Sequence, residues 1–211
     1  MNYFILIFVL LVISSCDNEN NSEILENGEL NSNFRYAEKK DTYINQSRKQ
    51  NVVKELIDKG WKPNILSNGQ LPICYNYKPI YGDVNNHLLV QVGGGTDVMV
   101  KVMNIDKNKC DRYVFVCRNS TYKIENIPEG KYFLKIAYGM DWFSRIESGN
   151  CIGKFIYNAM YECGNDTIDF NVHHLEDGYS IPSYSLRLNV VSSGTVNSFN
   201  SKVISEEDFN D

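Results

Sequence analysis

The residue types that could carry chemistry in this sequence are its cysteines and one pair of adjacent histidines. The six cysteines are Cys16, Cys74, Cys110, Cys117, Cys151 and Cys163. No two of them have the Cys-x-x-Cys spacing of a zinc site. His173 and His174 would face opposite sides of a strand, so they are poorly placed to hold one metal ion together. The sequence therefore predicts no metal site and no cofactor.

The common catalytic motifs are absent from the sequence. It contains no Gly-x-Ser-x-Gly nucleophile elbow and no His-Glu-x-x-His pair. Gly93-Gly94-Gly95 is not followed by the helix and the Lys-Ser/Thr pair of a phosphate-binding loop. A carboxylate pair for glycoside hydrolysis is defined by a distance that the sequence does not give. We therefore predict no catalytic residues and a binding or structural module. The alternative is an accessory or hydrolytic enzyme with an unrecognised active site.

The N-terminus carries an apolar run directly before a cysteine. The run FILIFVLLVI, residues 4–13, is too short to span a bilayer comfortably and is typical of a signal-peptide core. Ile13-Ser14-Ser15-Cys16 follows and resembles the lipobox of bacterial lipoproteins, although no Lys or Arg precedes the apolar run. The resemblance implies that the signal peptide is residues 1–15 and that lipid is attached to Cys16. It also implies anchoring in the bacterial outer membrane, with the protein periplasmic or surface-exposed.

Acidic charge is concentrated just after Cys16. The formal net charge of −5 equals the charge of five acidic residues before Asn33: Asp17, Glu19, Glu23, Glu26 and Glu29. The rest of the chain is balanced and has no long basic run, so nucleic acid is not an expected partner. Residues 16–44 are rich in Asn, Glu and Ser, which predicts a flexible acidic tether.

A helix, a connector and a series of strands follow this tether. Apolar residues recur on one helical face over 45–59 and predict a packing helix, and an aromatic, proline-containing connector extends to residue 84. Over 85–191, alternating apolar runs recur about every ten residues. This pattern predicts an all-β fold, an antiparallel immunoglobulin-like or prealbumin-like sandwich with one N-terminal helix. Residues 192–211 are polar and predict a loose tail, with a short helical start at Ser205.

Two hairpins are predicted within this domain. The first lies in Thr121–Gly139, where two alternating runs flank Ile127-Pro128-Glu129-Gly130. In it, Tyr132, Leu134, Ile136 and Tyr138 should share one buried face. The second predicted hairpin joins Ile152–Tyr161 to Thr167–Val172.

The segment from Val98 to Tyr138 resembles a known type of β-module. Its residues VMVKVMN, RYVFV and TYKIENIPEGKYFLKI are similar to the transthyretin-like or carboxypeptidase-regulatory-like sandwich and to the B-type repeats of surface adhesins. Asn126–Ile136 matches the segment that joins two neighbouring strands in those modules. The resemblance implies a binding or structural module, and the matched motif contains no catalytic residues.

Exposed aromatic residues are the predicted ligand contacts, and two modifications are also considered. Trp142, Phe143, Tyr75 and Tyr77 are the aromatics that we expect to bind a protein or glycan ligand. Cys151 and Cys163 flank the second predicted hairpin and could form a disulfide in an exported protein. Asp166-Thr167-Ile168 resembles an O-glycosylation motif of exported bacterial proteins, which would place a glycan on Thr167.

The lipid attachment gives the first testable prediction. The Cys16→Ala variant should stay unprocessed or appear in the soluble fraction, because the lipid is the expected membrane anchor. Cell fractionation and the mass of the mature protein measure both properties. A variant that stays on the membrane through high-salt and alkaline washes would contradict the assignment.

Overall fold

The computed structural model describes residues 48–191, 194–197 and 200–211. Cys16, the signal peptide and the tether lie outside the described residues, so their assignments stay predictions. Neither helix in the described ranges is long and apolar enough to cross a membrane.

Strands make up most of the described chain. The first helix, α1, covers residues 48–58, and α2 (Glu206–Asn210) follows the last strand. The strands are β1 (Lys62–Pro63), β2 (His87–Val92), β3 (Asp97–Asn104), β4 (Lys109–Val116), β5 (Ser120–Glu125), β6 (Lys131–Glu147), β7 (Asn150–Gly164), β8 (Ile168–Asp169), β9 (His173–Leu175), β10 (Gly178–Ser180), β11 (Tyr184–Val191), β12 (Gly194–Asn197) and β13 (Ser201–Val203). The predicted mainly β class with a short N-terminal helix is confirmed.

The strands form a large sheet, a small sheet and a separate hairpin. The large sheet has the order β13-β7-β6-β3-β4, and β1 and β8 each pair with β6. The small sheet has the order β12-β11-β2-β5, while β9 and β10 pair with each other. The pairing is antiparallel except between β11 and β2, which run parallel. This pair departs from the purely antiparallel prediction. It is possible because a long stretch of chain, rather than a tight turn, separates β2 from β11.

The two sheets share one hydrophobic core. Val98, Val100 and Val102 of β3 are fully buried in it, opposite small-sheet residues such as Leu88 and Ile124. The predicted face of β6 is confirmed, because Tyr132, Leu134, Ile136 and Tyr138 all belong to this core. Alternation with a period of two residues therefore identified the core side of both strands correctly.

The other face of the large sheet is also covered. Met99, Tyr113 and Phe115 lie in a second buried cluster, packed against the connector and against Phe209 of α2. All eight residues of β3 are consequently buried, including Lys101. Antiparallel sheets commonly leave one face in contact with solvent. A strand of such a sheet that is buried on both faces is therefore unusual.

The C-terminal segment supplies part of this cover, in contrast to the predicted loose tail. β13 pairs with β7, and Phe209 is fully buried. The predicted helical start is confirmed, because Ser205 and Asp208 form a capping box at the N-terminus of α2. The rest was missed because one buried aromatic residue in a polar segment gives no periodic signal.

The first predicted hairpin is wrong, although both of its strands exist. β5 pairs with β2 in the small sheet, whereas β6 pairs with β3 in the large sheet. The Ile127–Gly130 segment is therefore a corner between sheets. Gly130 has the predicted positive φ, 147°, and a Cβ there would lie 3.1 Å from the Asn104 amide nitrogen.

The second predicted hairpin is wrong as well. β7 pairs with β6 along a long hairpin that turns at Ser148 and Gly149, and β8 pairs with β6 at Lys131 and Tyr132. The predicted loop around Trp142 is instead the second half of β6, which continues beyond an irregular register between Tyr138 and Met140. Strand propensity alone does not specify the partner of a strand.

The corner is held by a buried asparagine. Asn86 is fully buried, accepts a hydrogen bond from the Ile127 N–H at 2.7 Å and donates one to the Ile127 carbonyl at 2.8 Å. The Tyr132 hydroxyl lies 3.0 Å from a carboxylate oxygen of Asp111 and 3.0 Å from the Pro128 carbonyl. These contacts satisfy backbone groups that the turn removes from sheet pairing.

The α1 helix packs only weakly on the domain. Val52 and Ile57 are 40% and 50% exposed, while Val53 and Leu56 are half-buried. It contacts the sheet at Tyr157, whose hydroxyl donates to the Lys49 carbonyl at 3.3 Å and whose ring centroid lies 5.0 Å from the Lys49 ammonium nitrogen.

The corner gives the second prediction. Asn86→Ala should lower the free energy of unfolding by about 2–4 kcal/mol, because it leaves the Ile127 N–H and carbonyl buried without partners. Asn85, the neighbouring and exposed asparagine, provides the matched control. Asn85→Ala should change stability by about 0.5 kcal/mol or less. Equal denaturation midpoints for the two variants would contradict the role assigned to Asn86.

Candidate ligand-binding site

Two of the four predicted ligand-contacting aromatics are core residues. Trp142 and Phe143 are 2% and 3% exposed. The Trp142 ring packs edge-on against Phe155, with ring centroids 4.7 Å apart. The prediction that these two residues are exposed is therefore wrong. The sequence placed them in a loop, whereas the continuation of β6 buries both side chains.

The other two predicted aromatics, Tyr75 and Tyr77, line a cavity of about 730 Å³. Further lining residues come from six parts of the fold: the connector, β3, β4, the β6–β7 turn, the start of β7 and the α2 segment. The lining includes Asn76, Lys101, Cys110, Tyr113, Asn150, Asn210 and Asp211. This volume lies in the range of roughly 300–1,000 Å³ that is typical of small-molecule sites.

The connector reaches this position by pairing alongside β4. The Gly69 N–H donates to the Phe115 carbonyl at 2.7 Å, and the Ile80 N–H donates to the Asp111 carbonyl at 2.9 Å. Between these contacts, the Tyr75 N–H donates to the Pro72 carbonyl at 3.0 Å and forms a turn. The connector is thus fastened on both sides of the two tyrosines.

A disulfide fixes the same segment to the hairpin of the large sheet. Cys74 and Cys151 are bonded, with Cα atoms 5.5 Å apart. The disulfide between Cys151 and Cys163 that the sequence suggested is therefore not formed. Both residues lie on β7, twelve positions apart, and an extended strand separates such residues by about 40 Å. Cys163 is a free thiol in the described chain.

Gly153 makes room for the tyrosine at this junction. A Cβ on Gly153 would lie 2.5 Å from the Tyr75 hydroxyl oxygen and 2.4 Å from Cζ2 of Trp142. The absence of a side chain therefore lets the Tyr75 ring approach β7 closely.

Three tyrosines form the aromatic wall of the cavity. Tyr75 and Tyr77 pack edge-on against Tyr113, with centroid distances of 5.4 Å and 6.1 Å. Their hydroxyl oxygens are shielded from solvent and make no hydrogen bond of good geometry within the described residues, although the Tyr75 hydroxyl lies beside that of Tyr113 and the Tyr77 hydroxyl beside the Cys110 thiol. Burial raises the pKa of Tyr75 to about 12 and also raises the pKa values of Tyr77 and Tyr113. All three hydroxyls are therefore neutral and able to donate near neutral pH.

Lys101 and Cys110 complete the wall from β3 and β4. The Lys101 ammonium donates to the Phe209 carbonyl and lies 5.3 Å from the Tyr113 ring centroid. Burial lowers the pKa of Lys101 to about 8, so the side chain is mostly protonated at neutral pH. Burial raises the pKa of Cys110 to about 11, which keeps this thiol protonated and a poor nucleophile.

Sequence reasoning found Tyr75 and Tyr77 by residue type but missed Tyr113, Lys101 and Cys110. A signal for Lys101 exists, because it is a lysine inside the apolar strand β3. A lysine inside an apolar strand indicates one of two things. Either that face of the strand is exposed to solvent, or the lysine is buried and has polar partners, as in a binding site. The strand pattern alone favoured the solvated face.

The remaining predicted residues lie away from the cavity. Thr167 is exposed immediately before β8, where its side chain is accessible. His173 and His174 are exposed on β9. No group of residues suited to holding a metal ion occurs within the described ranges.

Comparisons with known proteins give no relative. No protein-family model, no curated protein and no solved structure matches this chain.

The disulfide gives the third prediction. Cys151→Ser should lower the free energy of unfolding by about 2–4 kcal/mol, because it releases the Cys74 cross-link between segments distant in sequence. Cys163→Ser, on the same strand, changes a free thiol and should have an effect of about 1 kcal/mol or less. Chemical denaturation of both variants under non-reducing conditions measures the difference. A larger loss for Cys163→Ser would exclude the pairing.

Proposed function

We propose that this chain is a lipid-anchored bacterial envelope protein whose β-domain binds a small ligand in the tyrosine-lined cavity. In this proposal, lipid on Cys16 anchors the protein in the outer membrane, either in the periplasm or at the cell surface. The domain is a sandwich of the transthyretin-like or carboxypeptidase-regulatory-like type.

The observation that carries the binding function is the cavity itself, which has a volume of about 730 Å³ and a lining of aromatic and polar side chains. Tyr75, Tyr77 and Tyr113 supply its aromatic part, and Asn76 and Asn150 supply amides that can donate and accept hydrogen bonds. A concave site of this size with a few polar groups is typical of small-molecule binding.

Two further observations support export and the sandwich type. The Cys74–Cys151 disulfide is typical of oxidising compartments outside the cytoplasm. The shared core between the two sheets is compatible with a sandwich. The Asn126–Ile136 motif joins strands of different sheets here, which differs from the neighbouring-strand connection expected from the resemblance.

The binding function also fits the chemistry of the cavity better than catalysis does. Cys110 is a protonated thiol, and the three tyrosines are neutral, so these groups are poor nucleophiles or bases near neutral pH. The tyrosine rings and the amides of Asn76 and Asn150 can hold a ligand by ring contacts and hydrogen bonds.

The fourth prediction tests ligand binding with a variant that obstructs the cavity. The full chain, purified in a non-glycosidic detergent, is screened by thermal unfolding against sugars, amino acids, nucleosides and dicarboxylates. A ligand at about 100 times its Kd should stabilise the protein by about 2.7 kcal/mol. Asn150→Trp places a large ring in the cavity lining and should abolish the shift.

Glu176→Trp is the matched control, because Glu176 is exposed in the β9–β10 turn and does not line the cavity. This variant should respond to the ligand like the wild type. The proposal is overturned if no compound shifts the wild type, or if Asn150→Trp responds equally.

A further inference from the structure

The α1 helix keeps part of its apolar face exposed. Val52 and Ile57 are 40% and 50% exposed, and Val53 is half-buried. Val53 and Ile57 line a groove of about 320 Å³ together with Tyr157 of β7. These apolar side chains are neighbours on one helix rather than scattered single residues, and a contiguous exposed apolar surface marks an interaction site.

The charged groups along this groove are cations. Lys49 and Lys54 line it, and no carboxylate does among the described residues. At 3.6 residues per turn, these two lysines lie on either side of Val53 and Ile57, whereas Glu55 lies on the opposite side of the helix. An apolar stripe between cations, with the carboxylate turned away, is typical of a helix that lies on an anionic membrane surface.

The chain before α1 brings such a surface within reach. Residues 17–47 separate Cys16, the lipid attachment site of the proposed function, from the first described residue of α1. A flexible chain of about 30 residues has an r.m.s. end-to-end distance of about 30 Å. The effective concentration of the membrane surface at α1 is then in the millimolar range. A helix with a short apolar stripe can therefore dock, although it would bind weakly without the anchor.

We propose that α1 docks on the anionic lipid headgroups of the membrane that holds the Cys16 anchor. Val52 and Ile57 enter the boundary between headgroups and acyl chains, and Lys49 and Lys54 pair with lipid phosphates. The contact adds a second membrane attachment and holds the β7 side of the domain close to the bilayer. This inference rests on the proposed function, namely that lipid on Cys16 anchors the chain.

Hydrogen–deuterium exchange of the full lipidated chain tests the docking. The chain is studied in a zwitterionic detergent, in phosphatidylcholine vesicles and in vesicles that also contain phosphatidylglycerol. Docking stabilises the helix against local opening, so the α1 amides should exchange about 5-fold more slowly, or slower still, in the phosphatidylglycerol vesicles than in the other two. High salt should remove this difference by screening the charges. The exposed β9–β10 hairpin is the internal control and should exchange equally in all three.

Lys54→Glu should reduce the protection of α1 by phosphatidylglycerol by about 5-fold or more, because it replaces a cation of the groove by a carboxylate. Lys107→Glu is the matched control, since Lys107 is exposed in the β3–β4 turn and does not line the groove. It makes the same change of charge and should leave the protection unchanged. Exchange in detergent shows whether each variant keeps α1 intact. Lys54→Gln, which retains a good helix former, should give a smaller loss of protection.

The possible results separate the docking from the proposed function. A wild-type chain that does not float with the vesicles overturns the lipid anchor, and the docking with it. A chain that floats while its α1 exchanges equally in both kinds of vesicle overturns the docking and leaves the anchor and the cavity intact. Salt-sensitive protection that is already complete in detergent assigns α1 to the acidic tether and also overturns the docking. Protection by phosphatidylglycerol that Lys54→Glu and Lys54→Gln leave unchanged overturns the assignment to this groove.

Discussion

The fold depends on the buried amide of Asn86, which lets the chain pass from one sheet to the other. At the corner between β5 and β6, the backbone leaves sheet pairing inside the protein, where an unsatisfied N–H or carbonyl is unfavourable. Asn86 binds both backbone groups of Ile127, at 2.7 Å and 2.8 Å. Asp111 and Tyr132 add a second polar contact beside it, at 3.0 Å. With the corner fixed, β5 completes the small sheet and β6 becomes the longest strand of the large one.

The large sheet is covered on both faces. One face shares a core with the small sheet, and the other is covered by the connector and by α2. Lys101 and Lys135 help to hold α2 by donating to the carbonyls of Phe209 and Asp208. Short irregular segments cover a sheet less completely than a second sheet does. The tyrosine-lined cavity lies where the connector, the β6–β7 turn and α2 meet.

The same arrangement gives the cavity its chemical character. The disulfide holds the connector at Cys74, so Tyr75 and Tyr77 are positioned by a covalent bond and by backbone pairing with β4. Tyr113 projects from a strand that is part of the sheet itself. Rigid support of this kind keeps the three tyrosine rings in fixed positions against one another.

Local patterns in the sequence determined the strands and which face of each is buried, because side chains alternate along a strand whatever its partner. The alternation of Val98, Val100 and Val102, the buried face of β6 and the positive φ of Gly130 were all predicted in this way. The tertiary structure decided which strands pair, since the turn at Ile127–Gly130 permits either a hairpin or a corner and the choice depends on Asn86, 41 residues away. It also decided that Cys151 pairs with Cys74, 77 residues away, and that Trp142 is buried while Tyr75 lines a cavity. Strand partners and disulfide pairing are set by contacts between residues distant in the chain, and a period of two residues carries no information about them.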